Sequence, residues 1–385
     1  MVLEYKFKKR WDPYSLIDNS SFTIFWHDYL HTTRKRVLYI LGLGFDPRML
    51  LGIQTIMQNS PFQESCDCLL ITYDEGPDST SNLHRDLISK NYADIKKLVP
   101  HFRKYKEKKI GMLSDDLFHK RRIGDIEAIS IIDSFEEIND YTDVIIDISA
   151  LPRGIYFSLV AKILHLLHER SANNSTKCPN LFVIVSENVE LDKRIEDSGV
   201  DEEPKYISGF SSDLERSATN DIPIIWIPVL GENKKIQLER THSWLMPSEI
   251  CPVVPSPSIN PRRGDDLVIE YHSILFDEWV VEPKNIIFAD ERNPFDLYRQ
   301  IIDTVLRYDA ALAALKGLKV VISSDSSKLI SVGALLAAYD LKKNMRSVGL
   351  ANIEPRGYDI LEKENIDKIN RNSELFALLL FHEDE

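Results

Sequence analysis

Four short stretches of this chain combine anion-binding residue types with the local signature of a strand running into a helix: GLGFDPR at 42–48, DISALPR at 147–153, DERNPFD at 290–296 and SSDSSK at 323–328. Arg48 and Arg153 each carry a planar fork that matches a phosphate or a carboxylate. Ser324, Ser326 and Ser327 offer hydroxyls beside the open N–H groups of a helix start, and Lys328 adds a point charge. Asp46, Asp147, Asp290 and Glu291 are of the type that holds a divalent ion or accepts from sugar hydroxyls. In a parallel sheet every strand-to-helix junction lies at the carboxyl edge, so junctions distant in sequence can line one crevice. The ligand-binding candidates are therefore Gly42, Gly44, Asp46, Arg48, Asp74, Asp147, Ser149, Arg153, Ser324, Ser326 and Lys328. A bound nucleotide is the cofactor expectation they support, with a divalent metal as its companion. No catalytic residue and no metal-ligand set is assigned. Each candidate also has a structural alternative: Asp46, Ser149 and Ser326 are good helix caps, and Arg48 and Arg153 could pair with Asp46 and Asp147.

The elements that must position these residues begin with VLYILGLGFDPRM at 37–49, an apolar run that breaks at Gly42-Leu43-Gly44 and opens a helix at Asp46-Pro47-Arg48. Strands are expected at 37–41, 69–73, 144–148 and 181–185, with helices between them, which predicts one mainly parallel sheet. Asp74 follows the second of these strands, where dinucleotide-binding folds hold a ribose hydroxyl, although Pro47 stands at the third glycine position of that fingerprint. A helix at 21–32 is expected to pack on this first domain. The last third again alternates, with strands at 286–289, 319–323, 346–351 and 375–381 and helices at 295–315 and 329–341. The fold class is therefore α/β: two Rossmann-like lobes, each with a mainly parallel sheet flanked by helices. The expected domains are an N-terminal extension (1–36), a Rossmann-like domain (37–190), a linker (191–221) and a second α/β domain (222–385). Five prolines between 247 and 263 predict an irregular segment that covers a site or docks a partner.

Several chemistries find no support. SSDSSK lacks the Walker cradle, and no G-x-S-x-G elbow occurs. His27 and His31 lie four apart, but Asp28 stands where the zincin pattern needs Glu, and no third ligand is in view. Cys66-Asp67-Cys68 has the wrong spacing for a zinc half-site. With 47 Lys and Arg against 60 Asp and Glu, the net charge is −13. Direct nucleic-acid binding is thus not expected, since neutralising phosphates takes clustered basic residues. The dense basic runs of the first half, KYKEKK at 104–109 and HKRR at 119–122, read as a solvated helix face and loop. No stretch reaches the roughly 18–20 apolar residues of a membrane span. The charged N-terminus has no signal-peptide core, and four scattered cysteines suit a reducing compartment. A cytoplasmic location is the expectation.

GLGFDPRM after one buried strand and DISALPR after a later one resemble uncharacterised α/β proteins of bacterial anti-phage defence loci. The resemblance implies a cytosolic subunit that works with a protein partner or a second copy of itself, acting on or sensing nucleotides. It implies no catalytic residues. The alternative from a different class is a non-catalytic scaffold whose lobes only present surfaces.

Overall fold

The computed structural model describes residues 7–32, 34–59, 65–77, 79–114, 121–173, 177–211, 214, 222–313 and 317–382. His119 and Lys120 of the second basic run, and 212–213 and 215–221 of the expected linker, lie outside these. The chain forms two compact units: a first lobe of Ser15–Val200 with Pro355–Glu385, and a second of Asp201–Glu354 with the segment ending at Tyr14.

The first lobe runs β1 (Ser15–Ile17), α1 (Asn19–Thr32), β2 (Val37–Leu43), α2 (Leu51–Asn59), β3 (Cys66–Asp74), α3 (Arg85–Leu98), β4 (Lys104–Gly111), α4 (Gly124–Ile129), β5 (Asp143–Asp147), α5 (Arg153–Ala172), β6 (Asn180–Glu187), α6 (Val189–Asp192) and β7 (Ile195–Asp197). The second lobe holds β8 (Lys205–Tyr206), β9 (Ile224–Val229), α7 (Lys235–Leu245), β10 (Glu249–Ile250), β11 (Val253–Pro255), α8 (Arg263–Glu270), β12 (Ile287–Ala289), α9 (Pro294–Ala311), β13 (Lys319–Ser324), α10 (Lys328–Lys343) and β14 (Val348–Asn352). The chain then returns to the first lobe with β15 (Tyr358–Ile360), α11 (Ile366–Asn370) and β16 (Glu374–Phe381).

The first sheet has the order β4-β3-β2-β5-β6-β16-β1. Strands β2 to β6 pair in parallel, while β16 is antiparallel to both β6 and β1. The four strands expected to share a sheet do so. Alternate residues of β2, β3, β5 and β6 pack against Phe22, Trp26 and Leu30 of α1, Ile53 and Ile56 of α2 and Ile95 of α3. The intervening residues, among them Leu38, Ile40, Val144, Ile146 and Val183, are just as buried. A strand covered on both faces has no reason to alternate, which is why these segments read as continuous apolar runs.

The second sheet repeats the arrangement in the order β12-β11-β9-β13-β14-β8, with β10 also beside β9. All its pairings are parallel except that of β8 with β14. On one face Trp226, Val254 and Val321 pack against Leu238 and Leu245 of α7, Leu267 of α8 and Tyr271 just after it. In each lobe the earliest parallel strand, β2 or β9, is central, and later parallel strands add first to one side and then to the other.

Three expectations are corrected. The last strand, 375–381, belongs to the first sheet, not to the second domain: Leu375–Phe381 pairs with Ser186–Leu181. It covers the free side of β6, an all-buried strand that could not be left as an edge. The proline segment 247–263 is not irregular throughout: it contributes β10 and β11, with Val253 and Val254 fully buried, and only 256–262 is a mostly exposed loop. KYKEKK at 104–109 is not a helix face but the edge strand β4, parallel to β3. Its lysines suit an edge, where charge blocks pairing with another chain.

Candidate ligand site

The site candidates of the first lobe gather where the strand order reverses. β2 pairs with β3 on one side and β5 on the other, so the loops after Leu43 and Asp147 leave neighbouring strands at the same edge. These loops touch. A Cβ on Gly42 would overlap the Leu151 side chain, and one on Gly44 would overlap the Tyr73 hydroxyl. Tyr73 Oη in turn donates to the Ala150 carbonyl (2.8 Å). Both glycines thus sit where the protein's own side chains approach closely, and a Cβ at either would displace one of them. Asn91 fixes the turn from below, donating to the carbonyls of Gly44 (2.9 Å) and Asp46 (3.0 Å).

Asp46 caps the short helical turn at Pro47–Leu50 by accepting from the Arg48 amide (2.9 Å). The Arg48 guanidinium forks onto the same carboxylate (Nε 3.0 Å, Nη2 2.7 Å) and reaches Asp192 of α6 at 2.8 Å. Burial works against this cation, but Asp192 and Asp46 outweigh it and hold its pKa well above the ordinary value. The side chain is 5% exposed. Arg48 therefore ties the loop after β2 to the loop after β6, and its fork is occupied by protein.

Asp147 and Ser149 also face inward. Asp147 accepts from Tyr39 Oη (2.8 Å) and the Ser149 amide (3.0 Å), and Ser149 Oγ accepts from the Ser186 amide (2.9 Å). Burial and then the Asp147 charge push the Tyr39 hydroxyl well above its usual pKa, so it stays a donor. Arg153 is half-buried at the first position of α5, following Pro152. Asp74, at the end of β3, accepts from the Gly76 amide (3.0 Å) and from Lys109 Nζ (3.1 Å). Those bonds hold its carboxyl below the usual range, as a loop cap.

Beside this junction lies a group that the sequence did not reveal. The turn at Thr80–His84 follows β3, and Phe45 comes from the loop after β2. The Phe45 ring packs against His84 (5.4 Å between centroids) and Tyr358 of β15 (5.6 Å). Thr80 Oγ1 (3.3 Å) and His84 Nε2 (3.0 Å) both meet the Tyr358 carbonyl. A carbonyl only accepts, so the hydrogen sits on Nε2 and leaves Nδ1 as an acceptor in the neutral ring. Ser81 and His84 are 8% and 6% exposed. Among the described residues, neither Ser81 Oγ nor His84 Nδ1 has a hydrogen-bond partner. No sequence signal joins positions 45, 81, 84 and 358, because only strand order and the returning C-terminal segment bring them together.

In the second lobe the reversal falls at β9, flanked by β11 and β13. A Cβ on Gly231 would overlap the Asp325 backbone, so the loops after β9 and β13 are as close as those of the first lobe. Ser324 Oγ is bonded to Ser331 Oγ (2.7 Å) inside the lobe. Ser326 is buried just before α10, and Lys328 is half-buried at its first position. Arg263 sits between two carboxylates, with its Nε 2.7 Å and Nη2 2.8 Å from Glu232 and its Nη1 on Glu291. Glu291, expected as an ion or sugar contact, also accepts from the Ile259 amide (3.0 Å), which pins the loop after β11. Among the described residues there is no group of three or more His, Cys, Asp or Glu placed to hold a metal ion. No family model matches the chain, and no curated protein matches it either.

Proposed function

We propose that the protein binds a nucleotide-like, phosphorylated ligand at the carboxyl edge of the first sheet, with the phosphate end toward the start of α5. The observation that carries this reading is the reversal of strand order at β2. At such a point open α/β sheets take their ligands, at the carboxyl ends of the strands. α5 is a 20-residue helix whose N-terminus favours an anion, and Arg153 adds a charged fork at its first position. Arg48 has no part in binding, since Asp46 and Asp192 occupy its fork. The resemblance of GLGFDPRM and DISALPR to anti-phage defence proteins gives the reading a setting: a cytoplasmic nucleotide-sensing or nucleotide-processing subunit with a protein partner.

The test is mass spectrometry of small molecules released from the denatured protein, followed by equilibrium dialysis with nucleoside mono- and triphosphates. The expected result is a bound or binding nucleotide whose affinity falls tenfold to a hundredfold in Arg153→Ala, about 1.5–3 kcal/mol for one charged hydrogen bond. Absence of any nucleotide binding by the wild-type protein defeats the reading. A second reading, a non-catalytic scaffold, is favoured by the charge-saturated Asp46–Arg48–Asp192 group, which holds loops together through protein groups alone. It predicts that Arg153→Ala changes melting alone.

A further inference from the structure

We infer that Phe45, Ser81 and His84, beneath Tyr358, form the nucleobase subsite of the ligand proposed above. The inference deepens that reading and rests on it. Buried polar atoms are almost always paired, because an unpaired one loses its water without compensation. Here two unpaired atoms belong to one short helical turn, Ser81 Oγ and His84 Nδ1. In a 3₁₀ turn, residues three apart stand on the same side, so the two groups face one direction. His84 Nδ1 accepts, and Ser81 Oγ donates. A heteroaromatic base edge with an N–H beside a ring nitrogen or carbonyl acceptor answers both at once. The Phe45 ring, packed against His84 and Tyr358 beside these two groups, supplies an apolar surface for one face of such a base.

The position also fits. Phe45 leaves β2 and the Thr80–His84 turn follows β3, whereas Arg153 follows β5 on the far side of β2. Two inter-strand spacings, roughly 10 Å, separate the β3 and β5 ends. That matches the reach of a mononucleotide from base to phosphate. Of the four residues Phe45, Ser81 and His84 are buried and Tyr358 is half-buried. The ribbon of β7 and β15 covers the subsite, held by the Tyr358 carbonyl and by Gly357, whose Cβ position is taken up by Thr80.

The experiment compares the four nucleoside monophosphates with ribose 5-phosphate, by equilibrium dialysis on the full chain. Ser81→Ala deletes an unpaired hydroxyl and is expected to melt like the wild type. His84→Gln keeps a donor for the Tyr358 carbonyl while removing Nδ1. Both variants are expected to lose at least tenfold in affinity for the preferred monophosphate, with ribose 5-phosphate unchanged. Equal wild-type affinity for ribose 5-phosphate and every monophosphate overturns the subsite but leaves phosphate binding standing. Unchanged monophosphate affinity in Ser81→Ala overturns it too. A wild type that binds none of these probes overturns the subsite and the ligand reading together.

Discussion

Arg48 shows how much a single side chain can hold without touching a ligand. Its guanidinium is almost wholly buried, and Asp46 is nearly so, while Asp192 is 40% exposed. Two loops meet on that one cation. Breaking a buried ion pair from one side leaves a carboxylate with no compensation, which typically costs about 3–5 kcal/mol. Arg48→Ala is therefore expected to lower the unfolding free energy of the first lobe toward the lower end of that range, because Asp192 can hydrate. Urea denaturation measures this directly, and nucleotide affinity measured on the folded variant should stay as in the wild type. Arg48→Lys should recover little, since an ammonium cannot fork onto Asp46 and also reach Asp192.

Among the elements, the proline segment gives the clearest case of order hidden by composition. Pro252 and Pro255 flank the short buried pair Val253 and Val254, which lie between Val229 of β9 and Ile287 and Phe288 of β12. Proline is tolerated here because β11 is short and the ladder passes through the valines. Replacing 247–263 with a Gly/Ser linker removes β10, β11 and the Arg263 ion pairs. The expected outcome is loss of the second lobe's cooperative melting transition by circular dichroism. Intact melting in that variant would return the segment to the role of an exposed docking strap.

At the scale of the whole molecule, each lobe is assembled from distant parts of the chain. The first needs α1 and β1 before the Rossmann-like run, and β16 after the entire second lobe. Phe22, Trp26, Leu30, Leu375 and Ala377 all sit in its core. A fragment spanning 37–190, though it contains β2 to β6, would expose that core and an unpaired β6 edge. It is expected to aggregate on expression, while 15–200 co-expressed with 355–385 should give a soluble complex with a single melting transition. A soluble, cooperatively folding 37–190 fragment would show that the outer strands are dispensable. Among the described residues no helix is long and apolar enough to cross a membrane.

What is legible in the residues alone is what local chemistry dictates. Short apolar runs marked β2, β3, β5 and β6 as buried strands, because a strand covered on both faces fills most of its positions with apolar side chains. The glycines at 42 and 44 and the Asp46-Pro47 start marked a tight strand-to-helix turn, and the structural alternative of an Arg48–Asp46 pair was visible two residues apart. The rest follows from long-range packing. Strand partners are chosen by which edges remain open once the sheet assembles, so β16 closing the first sheet and KYKEKK forming its edge could not be read locally. Asp192 as the second partner of Arg48, and Ser81, His84, Phe45 and Tyr358 as one cluster, depend on loops meeting across up to about 310 residues of chain. Contacts of that separation leave no periodic trace in the sequence, because nothing about the residues in between constrains them.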